Sequence, residues 1–232
     1  MNDKNKALAA AFPHTIPVLT GYLVLGTAYG ILMDSNGFSL FWVLIASVFV
    51  YAGSMQFVAV ALLTSGFNPI GAFLMTIAVN ARHIFYGVSM LKQFQGLGKL
   101  KPYIIFSLTD ETFSILCSAE VPKGIDRKWF YFFISLLDHL YWIVGSLLGG
   151  VLGSIIHFDT KGIDFVLTAL FVVILINQWQ STSNHIPAII GIISAILCRL
   201  LFAASNFIIP TMLVILLLVT VCRPKLEGEK RL

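Results

Sequence analysis

Long apolar runs dominate this chain and restrict it to one kind of solvent. A helix crossing a bilayer needs about 20 mainly apolar residues. Eight runs approach or exceed that length, over about 13–33, 40–64, 69–91, 102–118, 129–157, 162–179, 186–203 and 206–222. Of the 232 residues 58% are hydrophobic and only 11% charged, which is too little polar side chain to coat a soluble globule. That excludes a disordered chain, a nucleic-acid-binding module and an ordinary soluble enzyme. The sequence predicts an all-α integral membrane protein, a polytopic helical bundle of eight apolar segments forming a single transmembrane domain over 1–232. The first run reads as a retained span, since no cleavage-like site follows it.

Loop charges set the orientation, because Lys and Arg favour the cytoplasmic side. If all eight segments span with the N-terminus inside, the inner loops hold Lys4, Lys6, Lys123, Arg127, Lys128, Arg223, Lys225, Lys230 and Arg231. The outer loops then hold Lys92, Lys99, Lys101 and Lys161. If segments two and four are instead re-entrant, entering and leaving on one side, the 92–101 loop moves inside and only Lys161 stays out. Making segment two alone re-entrant puts the excess outside. The rule therefore admits both hairpins or neither, and either choice leaves both termini cytoplasmic. Segment two divides into equal halves around Tyr51-Ala52-Gly53, and segment four is short with Asp110-Glu111 at its middle. Pro13, Pro17, Pro69, Pro102 and Pro187 fall near segment starts, where a missing N–H costs little; Pro224 reads as a stop after the last. The net charge of +4 fits basic loops facing an anionic leaflet, with no nucleic acid as partner.

Charged residues inside apolar runs cost roughly 2.5–3.5 kcal/mol each on insertion scales and mark pairing or function. The acids are Asp110, Glu111 and Asp138; the bases are Arg82 and Arg199, with His83 and His139 beside them. Three acids against two fixed cations leave one carboxyl to be protonated, to titrate or to bind a cation. In Asn80-Ala-Arg82-His83, Asn80 and His83 share a helix face, as do Arg82 and Tyr86. Arg82 offers a fork for a carboxylate, and His83 is of the residue type that can change charge near neutral pH. The bland reading of Arg82 is snorkelling to a membrane end. Asp110 and Glu111, as neighbours, point about 100° apart on a helix and cannot share one partner unless the helix is broken. They read as a proton or substrate-amine site, or as the partner of Arg82 or Arg199 in a packing salt bridge. Asp138-His139 reads as a proton relay or as a buried acid satisfied by its neighbour. Tyr51-Ala-Gly53-Ser54-Met-Gln56-Phe57 is a small-residue break whose second helix would start near Ser54. Such broken helices hold ligand charge in transporters; the alternative is a glycine kink.

Gly145, Gly149 and Gly153 form a doubled GxxxG, a strip for backbone-to-backbone helix packing on an internal helix or another chain. Gly26-xxx-Gly30 is a single copy. The chain has no GxxxxGK[ST], HExxH, GxSxG or CxxC, and Cys117, Cys198 and Cys222 lie in apolar runs. It calls for no cofactor, no metal site and no enzymatic nucleophile.

Tyr51-Ala-Gly-Ser-Met-Gln-Phe57, Asn80-Ala-Arg-His83 with Tyr86-Gly87, and Thr109-Asp-Glu-Thr-Phe113, in a chain of this length, resemble the AzlC family. These are large subunits of two-component branched-chain amino acid exporters, and the likeness covers essentially the whole chain. The resemblance implies export of leucine, isoleucine, valine and methionine or toxic analogues, driven by the proton-motive force. It also implies a small AzlD-type membrane partner and residence in the cell membrane. Joined to the residues, it assigns substrate binding to Ser54, Gln56, Asn80, Arg82, Asp110 and Glu111, and proton coupling to His83, Asp110, Glu111, Asp138 and His139. Phe57, Phe85 and Phe113 are the apolar candidates for the substrate side chain. The alternative is a scaffold or channel-like subunit whose small partner carries the transport site, docked on the glycine strip.

Overall fold

The computed structural model describes residues 3–66, 68–155, 172, 175–176, 179–180, 184–202 and 207–228. Among them every regular element is helical. In chain order these are α1 (Asp3–Ser35), α2 (Leu40–Ile45) with a π-helical turn (Ala46–Val50), α3 (Gly53–Thr64), α4 (Pro69–Asn80) and α5 (Arg82–Ser89). A 3₁₀ turn (Gly98–Leu100) then leads into α6 (Lys101–Phe106), α7 (Asp110–Ser118), α8 (Arg127–Ile155), α9 (Ile186–Leu201) and α10 (Ile208–Gly228). The chain forms two compact units, Met1–Ala72 with Val79–Asp164, and Phe73–Ala78 with Phe165–Leu232. In the second, α9 packs against α10, and the Arg199 guanidinium lies 5.9 Å from the Phe207 ring centre. The functional candidates lie in the first unit, Arg199 excepted.

Among the described residues α1 and α8 alone are long and apolar enough to cross a membrane unaided. Their burial is inside out. Leu140, Val144, Leu148, Val151 and Ile155 of α8 are exposed, while Ser135, Asp138, His139 and Ser146 are buried. A helix with an apolar outer stripe and polar groups facing in is suited to lipid, not water.

The α1–α8 contact is made at backbone distance. A Cβ built on Gly145 would lie 2.5 Å from the Tyr22 carbonyl oxygen, and one on Gly26 2.8 Å from the Ser146 nitrogen. A Cβ on Gly149 would strike the Thr27 carbonyl, and one on Gly30 the Ser146 carbonyl. Gly153 faces the side chain of Asp34. The doubled GxxxG therefore has an internal partner, the single GxxxG of α1. Residue numbers rise together along the seam, from Lys4 over Trp129 through Tyr22 beside Trp142 to Asp34 beside Gly153. The two helices run parallel.

Segments two and four are each broken, and each doubles back along α8. Leu40 and Val43 of α2 sit against Gly150. Further on, the Ser47 carbonyl accepts from Nε2 of His139 at 3.1 Å, and the Tyr51 ring stacks on His139 at 4.1 Å. Tyr51 has φ 42°, a left-handed conformation costly for a side chain, and this turn ends the helix. The chain then climbs back: Gln56 accepts from the Trp142 indole at 2.9 Å, and Phe57 meets Tyr29. From the opposite end Tyr103 of α6 contacts Phe132, and Phe106 reaches His139 and Tyr51. After Thr109 the chain returns, Thr112 at Asp138 and Leu116 within the cluster of Phe130, Tyr131 and Ile134. The two tips meet around His139, about 16 Å along α8 from Gly150 at 1.5 Å per residue.

Several expectations are corrected. Helix α1 begins ten residues before segment one, so Pro13 and Pro17 lie inside it. Helix α10 continues through Pro224, which is no stop. Segment three is interrupted at Ala81, and α5 ends at Ser89. Segment six, 162–179, falls almost wholly outside the described residues.

Replacing Gly149 by Leu should therefore cost about 1–3 kcal/mol through overpacking. Gly21→Leu on α1, where a Cβ would have no neighbour within 4 Å, should cost far less. Titration of the purified protein in mixed micelles with a denaturing detergent measures both.

Candidate functional site

Arg82 opens α5 just after the interruption at Ala81 and bridges the two broken segments. One guanidinium nitrogen donates to Oγ of Ser54 at 2.9 Å, on the first turn of α3. The other lies 2.6 Å from Oδ2 of Asp110, on the first turn of α7. Oδ1 of Asp110 accepts from the Tyr86 hydroxyl at 2.9 Å, and Tyr86 stacks on Phe113 at 4.3 Å. Side chains of Arg82 and Asp110 are 28% and 21% exposed, so the pair is sheltered yet reachable. Snorkelling does not describe Arg82, whose contacts are the starts of two other helices. Of the two cations the sequence offered as a partner for these acids, Arg82 takes Asp110.

The break before α7 is chemically explicit. Ser107 turns its hydroxyl back to the Tyr103 carbonyl at 2.9 Å. Thr109 is extended and its Oγ1 accepts from the Thr112 amide as the N-cap, the role Thr takes at helix starts. Asp110 and Glu111 then occupy the first turn, where helix dipole and free N–H groups favour acids. Because they diverge, Asp110 turns to Arg82 while Oε2 of Glu111 accepts from the Tyr22 hydroxyl at 2.8 Å. The same Tyr22 oxygen lies 2.7 Å from Oγ1 of Thr109. Thr109 and Thr112 hydroxyls are 3.1 Å apart, and Thr112 donates to Oδ2 of Asp138 at 2.8 Å. Asp138 is wholly buried, twelfth in the 29-residue α8. Glu111 and Asp138 thus lack a cationic partner among the described residues and are joined by three hydroxyls.

Asp138 and His139, adjacent in sequence, are not bonded to each other. Nδ1 of His139 is 3.0 Å from the Tyr103 hydroxyl and Nε2 faces the Ser47 carbonyl. A carbonyl only accepts, so Nε2 carries the hydrogen and Nδ1 accepts from Tyr103. That fixes the ring at the hairpin junction, away from Asp138. Gln56, a substrate candidate by sequence, uses its carbonyl oxygen internally, accepting from the Ala52 amide at 3.2 Å and from Trp142. It is 2% exposed and caps α3. His83 is half-buried, with Nδ1 3.2 Å from the Asn80 carbonyl and its ring against Tyr86. Asn80 is half-buried on the last turn of α4. The three phenylalanines do not converge: Phe57 is buried against Tyr29, Phe113 lies on Tyr86 and Phe85 is exposed.

Tyr22 was not a candidate by sequence, nor were the Thr109 and Thr112 hydroxyls as polar links. The threonines carry a signal, Thr followed three residues later by a polar residue with acids between, which reads as a helix start. A tyrosine inside an apolar run carries none.

The family described as AzlC protein matches residues 17–156. The branched-chain amino acid transport protein AzlC of Bacillus subtilis is 49% identical over 98% of this chain and 91% of its own length. A membrane protein of Helicobacter pylori is 40% identical over 98% of this chain and 100% of its own. The inner membrane protein YgaZ of Escherichia coli is 29% identical over 72% and 71%. No solved structure matches the chain.

Because Arg82 and Asp110 touch and share a sheltered site, their substitutions should not add. A double-mutant cycle of Arg82→Gln and Asp110→Asn should give a coupling of about 0.5–3 kcal/mol, measured by detergent unfolding. A cycle pairing Arg82→Gln with Asp138→Asn should give much less.

Proposed function

The chain belongs to the AzlC family, and from that membership and its buried charges we propose that it is the large subunit of a proton-coupled exporter of branched-chain amino acids. Its substrates are leucine, isoleucine, valine and methionine or related analogues. It works with a small AzlD-type membrane subunit in the cell membrane. The observation that carries the reading is the Arg82–Asp110 pair, set with Ser54 where two half-helices begin.

A free amino acid is a zwitterion, and an ion pair is a natural place for one. Its carboxylate can take the Arg82 fork, helped by the start of α3. Its ammonium can take Asp110. Insertion leaves every charge paired, so the buried site gains no net charge and avoids the large penalty of an unpaired ion. An isolated aliphatic acid or amine would satisfy half of the pair. Glu111 and Asp138, which no fixed cation neutralises among the described residues, are assigned to the coupled proton. Gln56 and His139 leave the list of ligands and carriers, because Gln56 is 2% exposed with its carbonyl oxygen on Ala52 and Trp142, and both ring nitrogens of His139 hold the hairpins. Asn80 and His83, half-buried and close to Arg82 in the chain, stay on it.

The topology that fits is the two-hairpin one. Two parallel spans, α1 and α8, require an odd number of crossings between them. Segment three alone supplies one, with segments two and four re-entrant from opposite sides. The hydrogen bond from Arg127 to the Gln95 carbonyl supports it, since it puts the 92–101 loop at the end where α8 begins. That arrangement keeps Lys92, Lys99 and Lys101 on the cytoplasmic side with both termini. The scaffold alternative loses its docking feature, because α1 fills the glycine strip.

Two measurements test the proposal. In cells lacking their own exporters and supplied with the partner subunit, Asp110→Asn and Glu111→Gln should each lower valine efflux at least tenfold at matched expression. Unchanged efflux in both would remove the acid site. Single cysteines at 92–101, in a background without Cys117, Cys198 and Cys222, should react with impermeant reagents from the cytoplasm only. Reaction from outside would restore eight full spans.

A further inference from the structure

Four contacts link Glu111 to Asp138 without interruption: Glu111 Oε2 to Tyr22 at 2.8 Å, Tyr22 to Thr109 at 2.7 Å, Thr109 to Thr112 at 3.1 Å and Thr112 to Asp138 Oδ2 at 2.8 Å. Tyr22, Thr109, Thr112 and Asp138 are all buried, so no solvent competes along the path. Each link needs one hydrogen. Each hydroxyl carries one and has lone pairs to accept another. Three hydroxyls therefore supply three hydrogens for four links. With both carboxyls ionised, one link holds two oxygens facing each other with none between them. With both protonated on the linked oxygens, Oε2 and Oδ2, five hydrogens crowd four links, and a proton on Oδ1 of Asp138 would have no acceptor, since that atom has no hydrogen-bond partner among the described residues. A single proton on the two acids gives four for four.

We propose that Glu111 and Asp138 hold one proton in common and exchange it through the hydroxyls of Tyr22, Thr109 and Thr112. Two arrangements satisfy every link, and they are mirror images. In one, Asp138 donates to Thr112, Thr112 to Thr109, Thr109 to Tyr22 and Tyr22 to ionised Glu111. In the other, Glu111 donates to Tyr22 and the sense reverses down to ionised Asp138. Passing between them breaks four O–H bonds and forms four. One proton leaves Asp138 Oδ2 and one arrives at Glu111 Oε2, while each hydroxyl keeps one hydrogen. The threonine amide donating to Thr109 is compatible with both, because Thr109 accepts at most one further hydrogen in either.

Of the other ionisable groups around the path, Asp110 and His139 are engaged elsewhere and Tyr51 flanks it. Asp110 is held by Arg82 and Tyr86. His139 is held by Tyr103 and Ser47. The Tyr51 ring lies on His139, and its buried hydroxyl, which makes no hydrogen bond of good geometry among the described residues, sits beside Tyr22 and Thr112 as a neighbour of the path. The relay spans α1, α7 and α8 and so joins the acid beside the proposed substrate pair to an acid deep on the long helix. Only its use in coupling rests on the proposed transport; the shared proton does not.

Infrared spectroscopy of the full-length purified chain in lipid vesicles reads the carboxyls directly. The Asp138 band is identified by its loss in Asp138→Asn. Glu111→Gln should then shift that band in the otherwise native chain and in Thr112→Ser, which keeps the hydroxyl, but not in Thr112→Val, which removes it. A shift that persists in Thr112→Val, or is absent from the native chain, overturns the shared proton. With the partner subunit present, Thr112→Val should cut proton-driven valine efflux at least tenfold yet keep exchange of labelled for unlabelled valine, which needs no net proton movement. Loss of exchange along with efflux in Thr112→Val, with Thr112→Ser unaffected, would instead give Thr112 a binding role and overturn the relay. Absence of valine exchange by the native complex would defeat the amino acid reading and leave the infrared result to decide the shared proton.

Discussion

The seam between α1 and α8 is the constraint on which the first unit depends. Within a bilayer, apolar side chains gain nothing from leaving lipid for protein, so helices associate by close packing and polar contact. Gly26 and Gly30 against Gly145 and Gly149 bring two backbones closer than any side chain would permit. That proximity fixes the helices as a parallel pair and sets the depth of every residue along them. A parallel pair leaves the intervening chain obliged to return, and α2–α3 and α6–α7 fill the flanks as half-length pieces. Their tips meet midway at His139, whose two ring nitrogens hold one hairpin each through Ser47 and Tyr103.

Breaking helices at that depth exposes backbone groups that need partners, and the sequence supplies them locally. Thr109 caps α7 and Gln56 accepts from the Ala52 amide at the start of α3. The starts of two helices then lie close enough for one arginine to reach both. Arg82 is the single fixed cation among three acids in this unit's apolar segments. It takes Asp110, the acid with the shortest contact. The remaining two acids meet hydroxyls instead, Glu111 that of Tyr22 and Asp138 that of Thr112, and a hydroxyl can accept from a protonated carboxyl or donate to an ionised one. Charge arithmetic done on the sequence, three acids to two cations, pointed to one odd carboxyl. Within the first unit the described residues leave two acids, Glu111 and Asp138, without a cation, and Arg199 belongs to the second unit, over Phe207.

Much of this architecture is legible in the residues. Tyr51-Ala-Gly53 marks the first break because small residues and an abrupt polar run interrupt an apolar segment. Asp110-Glu111 marks the second, since neither acid tolerates lipid. The arginine in segment three stands out for the same reason. What the sequence cannot convey is direction across space. Asp138 and His139 are neighbours in the chain and look like a relay, yet a helix turns them about 100° apart onto different elements. Gln56 looks like a ligand because it is polar in an apolar run, and becomes a cap because the helix starts three residues before it, leaving the Ala52 amide for its side chain. Tyr22 looks like core, and its ring is core, packed edge-on to Trp142; only the position of its hydroxyl makes it a link. The prolines mislead because Pro13 and Pro17 are accommodated within α1, whose Thr15 and Thr20 turn their hydroxyls to the Phe12 and Pro17 carbonyls.

Asp110 and Glu111 being consecutive gives the site a mechanical property. They share one turn, so the piece of backbone that aims Asp110 at Arg82 also aims Glu111 at Tyr22. Thr109 is both the N-cap of that turn and the middle hydroxyl between Glu111 and Asp138. Any movement of the start of α7 large enough to separate Asp110 from Arg82 therefore also strains the cap, and with it the contacts of Thr109 to Tyr22 and Thr112. Insertion of a zwitterion between Asp110 and Arg82 is such a movement under the proposed function, because the two side chains now in contact must part to admit it. Occupancy of the ion pair and continuity of the hydroxyl path are then two readouts of a single helix start. Under that function, coupling of substrate to proton needs no long-range pathway, since one peptide bond joins Asp110 to Glu111.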